Sequence, residues 1–386
     1  MDVLQNILIY AGSFVLVLSV VVFVHEFGHF QVARWRGVAI DTFSIGFGKT
    51  LLGWRDKQGV HWKVGALPLG GYVKFADDAD AMSTAPREKI EDPAALAEAR
   101  AKGLFHAQPL STRSMVVAAG PITNFIFSIA AFALLAFIIG HDEPTRIDRV
   151  APGSAAAIAG LQQGDIIRTI NGEAVATFED VAPRVAASLN QPLQLVIERG
   201  DAEMTRSVTP LPNAENPRQG ALGVTHESSI ENTTPIDPLT AIGVGATDTW
   251  QIIAQTGAYI GGVFTGRESG NQIAGPLGII NVSGQVATSA LNGPGGDWAF
   301  RLGILALSLL KLAAVLSVAV GIVNLLPIPI LDGGHLLFYA IEGVRGGRPL
   351  PAAAQEWAYR AGFAVMASLF LFATWNDITR LFPGAQ

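Results

Sequence analysis

The chain has 386 residues, half of them hydrophobic and 15% charged, with a formal net charge of −6 and no cysteine. The missing cysteine excludes disulfides, thiolate metal sites, iron–sulfur clusters and a cysteine nucleophile, and the acidic balance gives no global attraction to nucleic acid. High apolar content with a positive mean hydropathy fits a polytopic membrane protein carrying a soluble part.

Val3 to Val24 contains no charged residue. At about 1.5 Å per residue it is long enough to cross a bilayer core of about 30 Å. No Lys or Arg precedes it, Arg34 being the first basic residue, so the pattern of a cleaved export signal is missing and a first transmembrane helix is expected. This run leads into His25-Glu26-Phe27-Gly28-His29. Imidazoles four residues apart share a helix face and suit two ligands of one Zn²⁺, with the intervening Glu placed to act on water. Without further partners, the same residues read as two histidines at the wet end of a membrane helix.

Residues 31–113 hold 12 Lys plus Arg, including six of the seven lysines. Basic residues beside membrane helices favour the cytoplasmic side, so this loop is expected inside and the N-terminus outside. Within it, Ile40 to Lys49 and Val60 to Phe75 read as strands, with Gly46, Gly48, Gly70 and Gly71 marking tight turns or close backbone approach. Ala76 to Ala107 is an Ala- and acid-rich linker, partly helical. Ser114 to Gly140 is a second uncharged span, interrupted by Gly120-Pro121 and by Asn124. At membrane depth Asn124 either bonds a neighbouring helix or belongs to a functional interior.

After Gly140 the composition becomes that of a soluble domain. Arg149 to Ala156, Ala159-Gly160-Leu161, Gly164-Asp165-Ile166-Ile167 and Ile170-Asn171-Gly172 follow closely. These residues resemble a PDZ domain over 141–230, with a hairpin through Asn-Gly. The resemblance implies peptide capture by strand addition, and Leu222-Gly223-Val224 looks like the carboxylate-binding loop in a circularly permuted arrangement.

Residues 231–300 form an amphipathic connector, in which Thr249 to Gly266 is expected to lie on the membrane surface or against the bundle. Leu302 to Leu331 is the third span, with Lys311 as its sole charge, and it runs into Asn324-Leu325-Leu326-Pro327-Ile328-Pro329-Ile330-Leu331-Asp332-Gly333-Gly334-His335. Pro327 and Pro329 cannot continue a regular helix, so its last turn must unwind. Ala361 to Asn376 is a fourth span, with Arg360 and Asp377 reaching the interfaces.

Four spans bring the lower ends of the first and third to one membrane face, where His25, His29 and Asp332 complete a His₂–carboxylate ligand set and Glu26 is the general base. His335 is a rival ligand. His61, His106, His141 and His226 lack a partner pattern and read as surface residues.

The His-Glu-x-x-His segment, Gly46-Phe47-Gly48, Gly70 to Lys74, Gly120 to Asn124, the PDZ-like stretch and Asn324 to Gly334 occur in order along nearly the whole chain. Together they resemble the bacterial site-2 proteases, the intramembrane zinc metalloproteases that include the regulator of sigma-E protease. The resemblance implies one Zn²⁺ on His25, His29 and Asp332, Glu26 as catalytic base, and a re-entrant β-loop around 40–75. It also implies substrate contacts from Asn324, Pro327 and Pro329. Relatives of that type often carry two tandem PDZ domains, whereas one is found here. The expected fold is a polytopic α-helical membrane protein of about four spans: residues 1–140 and 301–386 form two transmembrane halves around the inserted domain and its connector.

The expected setting is a bacterial inner membrane, with the PDZ-like domain periplasmic, the site near the cytoplasmic side, and a role in stress signalling. The implied substrate is a single-pass membrane protein, such as an anti-sigma factor, or a signal-peptide remnant. The strand edge Thr42 to Gly48, including Gly46 and Gly48, is expected to hold it extended, with Asn124 and Asn324 meeting the freed backbone groups. An ion-coupled transporter and a non-catalytic membrane-tethered PDZ scaffold are the competing readings.

Overall fold

The computed structural model describes residues 3–76, 90, 92–140, 145–175, 177–200, 202–213, 216–225, 233–293 and 296–381. His141, His226 and most of the acid-rich part of the linker lie outside them. Two compact units are present, one formed by residues 1–135 with 242–386 and the other by 136–241. In the first, four helices are long and apolar enough to cross a membrane: α1 (Val3–Trp35), α3 (Leu110–Ile139), α8 (Trp298–Leu325) and α10 (Ala352–Leu381).

The His-Glu-x-x-His segment thus lies within the last third of one unbroken helix. At about 1.5 Å per residue, His25 lies roughly 32 Å below the first turn, about one bilayer core down. Val17 and Val21 of α1 are buried with Leu309 and Ala313 of α8, which brings those two helices together.

β1 (Ile40–Arg55) runs past the expected end at Lys49 and pairs with β2 (His61–Phe75) as an antiparallel hairpin that folds back on itself. Leu52–Arg55 pairs with His61–Val64, and His61–Val64 also pairs with Thr42–Ile45. Thr42–Ile45 in turn pairs with Gly71–Lys74. The expectation that Thr42 to Gly48 offers a free edge is therefore corrected, because Thr42 to Ile45 has neighbours on both sides and Thr42, Phe43 and Ser44 are buried. Among the described residues, the outer strand on this side of the sheet is Gly71–Phe75. Gly46 has φ +82°, and a Cβ there would meet the Leu67 carbonyl oxygen at 2.6 Å, so the chain needs glycine where it doubles over itself. Phe43, Val73 and Phe75 pack with Phe30 of α1, Val116 of α3 and Phe105, fixing the hairpin against the lower ends of both helices. The short α2 (Pro93–Ala101) is capped by Asp92, whose carboxylate accepts the Ala94 N–H at 3.0 Å.

The second unit is an α/β domain. Strands β3 (Arg149–Val150), β4 (Ile166–Ile170), β5 (Glu173–Ala174), β6 (Leu193–Arg199), β7 (Ala202–Val208), β8 (Leu211–Pro212), β9 (Gly220–Ala221) and β10 (Val224–Thr225) accompany helices α4 (Ala155–Ile158) and α5 (Phe178–Ala187). The main sheet has the order β5-β4-β6-β7, and β10 pairs with β3. Asn171 and Gly172, with φ of 52° and 82°, make the two-residue turn joining β4 to β5, as the Asn-Gly pair predicts. Ile147, Ile167, Leu195, Ile197, Val181 and Val208 fill the core. Asp165, fully buried, is held by the Arg199 guanidinium at 2.6 and 2.8 Å.

The connector contains two helices. α6 (Pro238–Phe264) is not among the four spans, and Gly245 lets its backbone lie on α3, where a Cβ would be 2.7 Å from the Ala133 nitrogen. α7 (Pro276–Asn292) follows in the second half of the connector. Its stripe of small buried residues, Ser283, Gly284, Ala287 and Ala290, brings Gly284 against the Tyr10 ring of α1. Its N-terminus is capped from α10, because the Asp377 carboxylate accepts the Gly275 and Gly278 N–H groups at 3.0 and 2.8 Å. Asp377 is accordingly buried at 1% exposure and does not reach the interface as expected.

α8 stops at Leu325 and the next helix, α9 (Asp332–Val344), begins at Asp332, so the third span is shorter than Leu302–Leu331. Pro327 and Pro329 have no N–H to extend the ladder, and Leu326 to Leu331 bridges the helices by the short bonds Ile328 N–H to Leu326 O and Leu331 N–H to Ile328 O. Gly333 and Gly334 pack against the carbonyls of Leu325 and Ile328, a closeness that Cβ atoms would prevent. α10 spans 30 residues, well beyond the expected 361–376.

Candidate metal centre

Three electron-pair donors converge between the lower end of α1 and the first turn of α9. His25 Nε2 lies 3.2 Å from Asp332 Oδ2, His29 Nε2 lies 3.4 Å from the same oxygen, and the two nitrogens are 3.2 Å apart. Ligands on a tetrahedral ion at about 2.0–2.1 Å stand about 3.3–3.4 Å from one another, so the gap fits a cation such as Zn²⁺. Asp332 Oδ2 is buried and makes no hydrogen bond, which a carboxylate oxygen tolerates when a cation balances it. Among the described residues, His25, His29 and Asp332 form the group able to hold a metal ion. His335 stands outside it, its ring 5.9 Å from that of Tyr359.

α3 backs both imidazoles. His29 Nδ1 lies 2.9 Å from the Val116 carbonyl oxygen, to which it donates, and the Asn124 amide lies 3.1 Å from His25 Nδ1. Gly120 permits the approach, since a Cβ there would press on His29 Nε2, lie 2.5 Å from His29 Cε1 and 2.8 Å from His25 Cε1. Gly28 does the same from α1, facing the Ala119 carbonyl oxygen and Thr123 Oγ1 at 2.5 Å. The Gly120-Pro121 pair, read from sequence as an interruption, leaves α3 continuous from Leu110 to Ile139.

The donors open on a cavity of about 350 Å³. Its wall includes Glu26, Gly71, Tyr72, Val73, Asn324 and Ile330. Glu26 lies along the outer strand: a Cβ on Gly71 would be 3.0 Å from Glu26 Cγ, and the Val73 N–H faces its carboxylate. The Asn324 amide nitrogen donates to the Val320 carbonyl oxygen at 3.1 Å. Pro327 and Pro329 are absent from the wall, as are Gly46 and Gly48, whereas Phe47 between the glycines reaches it. Pro329 packs instead on Gly362 of α10.

In the same wall the Arg113 guanidinium grips the Glu342 carboxylate at 2.6 and 3.1 Å and lies over the Tyr339 ring at 4.9 Å. Burial pushes the Tyr339 phenol above its ordinary value, so it stays a neutral O–H beside that pair. His106 also lines the cavity and is not a plain surface residue. Val116 and the Arg113–Glu342 pair were missed from sequence, and Gly120 and Gly71–Val73 entered only as segments that carry the resemblance, without a role at the site. Each depends on contacts across tens to hundreds of residues, and the repeated glycines are the only local signal they leave.

In the second unit, Leu222-Gly223-Val224 is held by backbone hydrogen bonds. Leu222 is buried and its carbonyl accepts the Ala156 N–H at 2.9 Å, and the Gly223 carbonyl accepts the Ala151 N–H at 2.8 Å. Gly223, at φ +75°, presses on Ser154, and Val224 begins β10.

Residues 13–369 match the profile of Peptidase family M50. The chain is 42% identical to "Putative zinc metalloprotease R01501" of Rhizobium meliloti over 98% of its length and 99% of the relative's. It is 43% identical to "Putative zinc metalloprotease Atu1380" of Agrobacterium fabrum over 96% of both chains. A third relative, "Metalloprotease MmpA" of Caulobacter vibrioides, is 38% identical over 97% of this chain and 96% of its own. With four membrane-crossing helices around a His–His–Asp centre, the chain belongs to peptidase family M50, as an intramembrane zinc metalloprotease of the site-2 protease type.

Proposed function

We propose that the chain takes one Zn²⁺ on His25, His29 and Asp332 and cleaves single-pass membrane proteins in or beside their transmembrane segment, with Glu26 as general acid–base. The observation that carries this is a single cavity where the ligand donors, a carboxylate and an outer β-strand face one another. When bound, the ion supplies the Lewis-acid field that polarises a carbonyl and acidifies water. Glu26, next to the first ligand, takes the proton from the attacking water and hands it to the departing amide nitrogen. A peptide bond in a helix is shielded by its own hydrogen bonds, so the substrate must first be drawn out. The outer strand Gly71–Val73 offers backbone groups for that extended segment beside Glu26, and this edge takes the role first given to Thr42–Gly48. Gly46 and Gly48 act through it, by shaping the fold-back that carries Phe47 to the cavity.

Asn324 contacts the substrate from the end of α8, and Pro327 and Pro329 shape the turn that presents Asp332. Leu222-Gly223-Val224 receives a peptide carboxylate in the PDZ-like unit. The bacterial relatives support an inner-membrane setting, and the basic loop 31–113 supports a site on the cytoplasmic side with the PDZ-like unit periplasmic. Anti-sigma factors and signal-peptide remnants are the substrate classes to try first. Neither a transporter nor a scaffold has a use for a strand edge beside a general base.

The test is cleavage of a model transmembrane substrate by the purified protein in detergent, with metal analysis of the same samples. Glu26→Gln should keep its zinc and lose roughly 10²–10⁴-fold in rate. Wild-type turnover by that variant would refute the assignment.

A further inference from the structure

Asn124 is fully buried, on the turn of α3 that faces the metal ligands. Its amide nitrogen lies 3.1 Å from His25 Nδ1 and its Oδ1 is buried with no partner, an orientation that turning the amide over would exchange. Its backbone carbonyl is occupied separately, accepting the Ser128 and Ser317 hydroxyls at 3.0 and 3.2 Å. The side chain is therefore not needed to dock α3 on α8, and its one polar contact is a metal ligand.

A neutral imidazole carries one N–H, and the ring nitrogen without it is the ligand. His29 is set by the Val116 carbonyl oxygen, an acceptor that can only hold Nδ1–H and so leaves the Nε2 lone pair toward Asp332. His25 presents Nε2 to the same oxygen and needs an acceptor at Nδ1 for the same reason. The two ends of an amide differ in this respect. With the nitrogen toward Nδ1, the proton is forced onto Nε2 and the ring is no ligand; with the oxygen there, Nδ1–H is held and Nε2 is free. Either orientation pairs one amide atom, so hydrogen-bond count does not choose between them, and the ligand set does.

Resting on the metal site proposed above, we infer that Asn124 is a positioning residue whose Oδ1 accepts the His25 Nδ1–H. It fixes the tautomer and the ring plane of the first zinc ligand and makes no substrate contact. Asn124 and the Val116 carbonyl, two turns apart on α3, are then matched acceptors for the two imidazoles.

The experiment is competition for zinc between a chromogenic chelator and the full-length protein in detergent, as wild type, Asn124→Asp and Asn124→Leu. Loss of a ligand's outer hydrogen bond typically weakens a zinc site about 10–100-fold, and Asn124→Leu should fall in that range. Asn124→Asp, whose oxygens can only accept, should hold zinc as tightly as wild type or more so. Melting of the chelated proteins separates a folding defect from a metal defect, and Asn124→Asp carries the test if the Leu variant does not fold. Affinity lost equally in Asp and Leu, or lost in neither, overturns the tautomer role and leaves the protease reading intact. A wild-type protein that takes no zinc brings down both.

Discussion

Gly120→Ala tests the metal site through packing alone, with no change in charge or ligand chemistry. The added methyl would press on His29 Nε2, 2.5 Å from His29 Cε1 and 2.8 Å from His25 Cε1. Carbon contacts are comfortable from about 3.5 Å, so the His29 ring must retreat by about 1 Å or α3 must back away. Metal sites tolerate about 0.2 Å in ligand position, several times less than that retreat. Withdrawal of α3 is resisted by the Gly28 contact with Ala119 and Thr123 and by Val116, buried among Phe30 and Phe43. Overpacking of this kind costs about 1–3 kcal/mol. Either route disables one of three ligands, so zinc affinity should fall at least about 100-fold, or about 2.8 kcal/mol. The assay is the zinc-to-protein ratio after dialysis against graded chelator, with Gly12→Ala as the control because nothing lies within 4 Å of that position. A Gly120→Ala protein that keeps zinc as tightly as the control would show that α3 does not set the ligands.

Val73→Pro removes the N–H that faces Glu26 and should cut cleavage at least tenfold while zinc content stays unchanged; unaltered turnover would show that this strand does not position the general base. Asp377→Ala strips two N–H groups of α7 of a buried cap and should lower stability by about 1–3 kcal/mol, read as a lower melting temperature in detergent. An unchanged melting point would mean that α7 does not depend on α10.

Those parts of the molecule whose cause is local were legible in the residues. The His-Glu-x-x-His spacing, the uncharged runs, the Asn171-Gly172 turn and the helix-ending prolines each act within a few positions. What escaped was set by distant partners. The hairpin's outer strand depends on pairing of Thr42–Ile45 with two segments at once, which moves the edge from β1 to Gly71–Val73. Helix α7 lies inside the stretch read only as a connector, and its first turn is completed by a carboxylate about a hundred residues later. Asp377 was misplaced for the same reason: an acid at the end of an apolar run goes to water unless unpaired N–H groups are nearer.

The ligands come from two motifs at opposite ends of the chain, yet what orients them comes from a third helix between. α3 supplies the Val116 carbonyl to His29, the Asn124 amide to His25, and at Gly120 the space both rings occupy. It also reaches α9, where Arg113 grips Glu342, ten residues along the helix that begins with Asp332. A buried, bidentate pair of this kind contributes little net stability but is costly to break, so it serves to fix the place of the helix. Pro121 has no N–H for the carbonyl four residues earlier, which makes this the turn of α3 least able to hold its shape unaided. The metal centre is therefore as much a property of α3 as of the residues that would touch the ion. Substitutions along its inner face should act on metal affinity before they act on the chemistry.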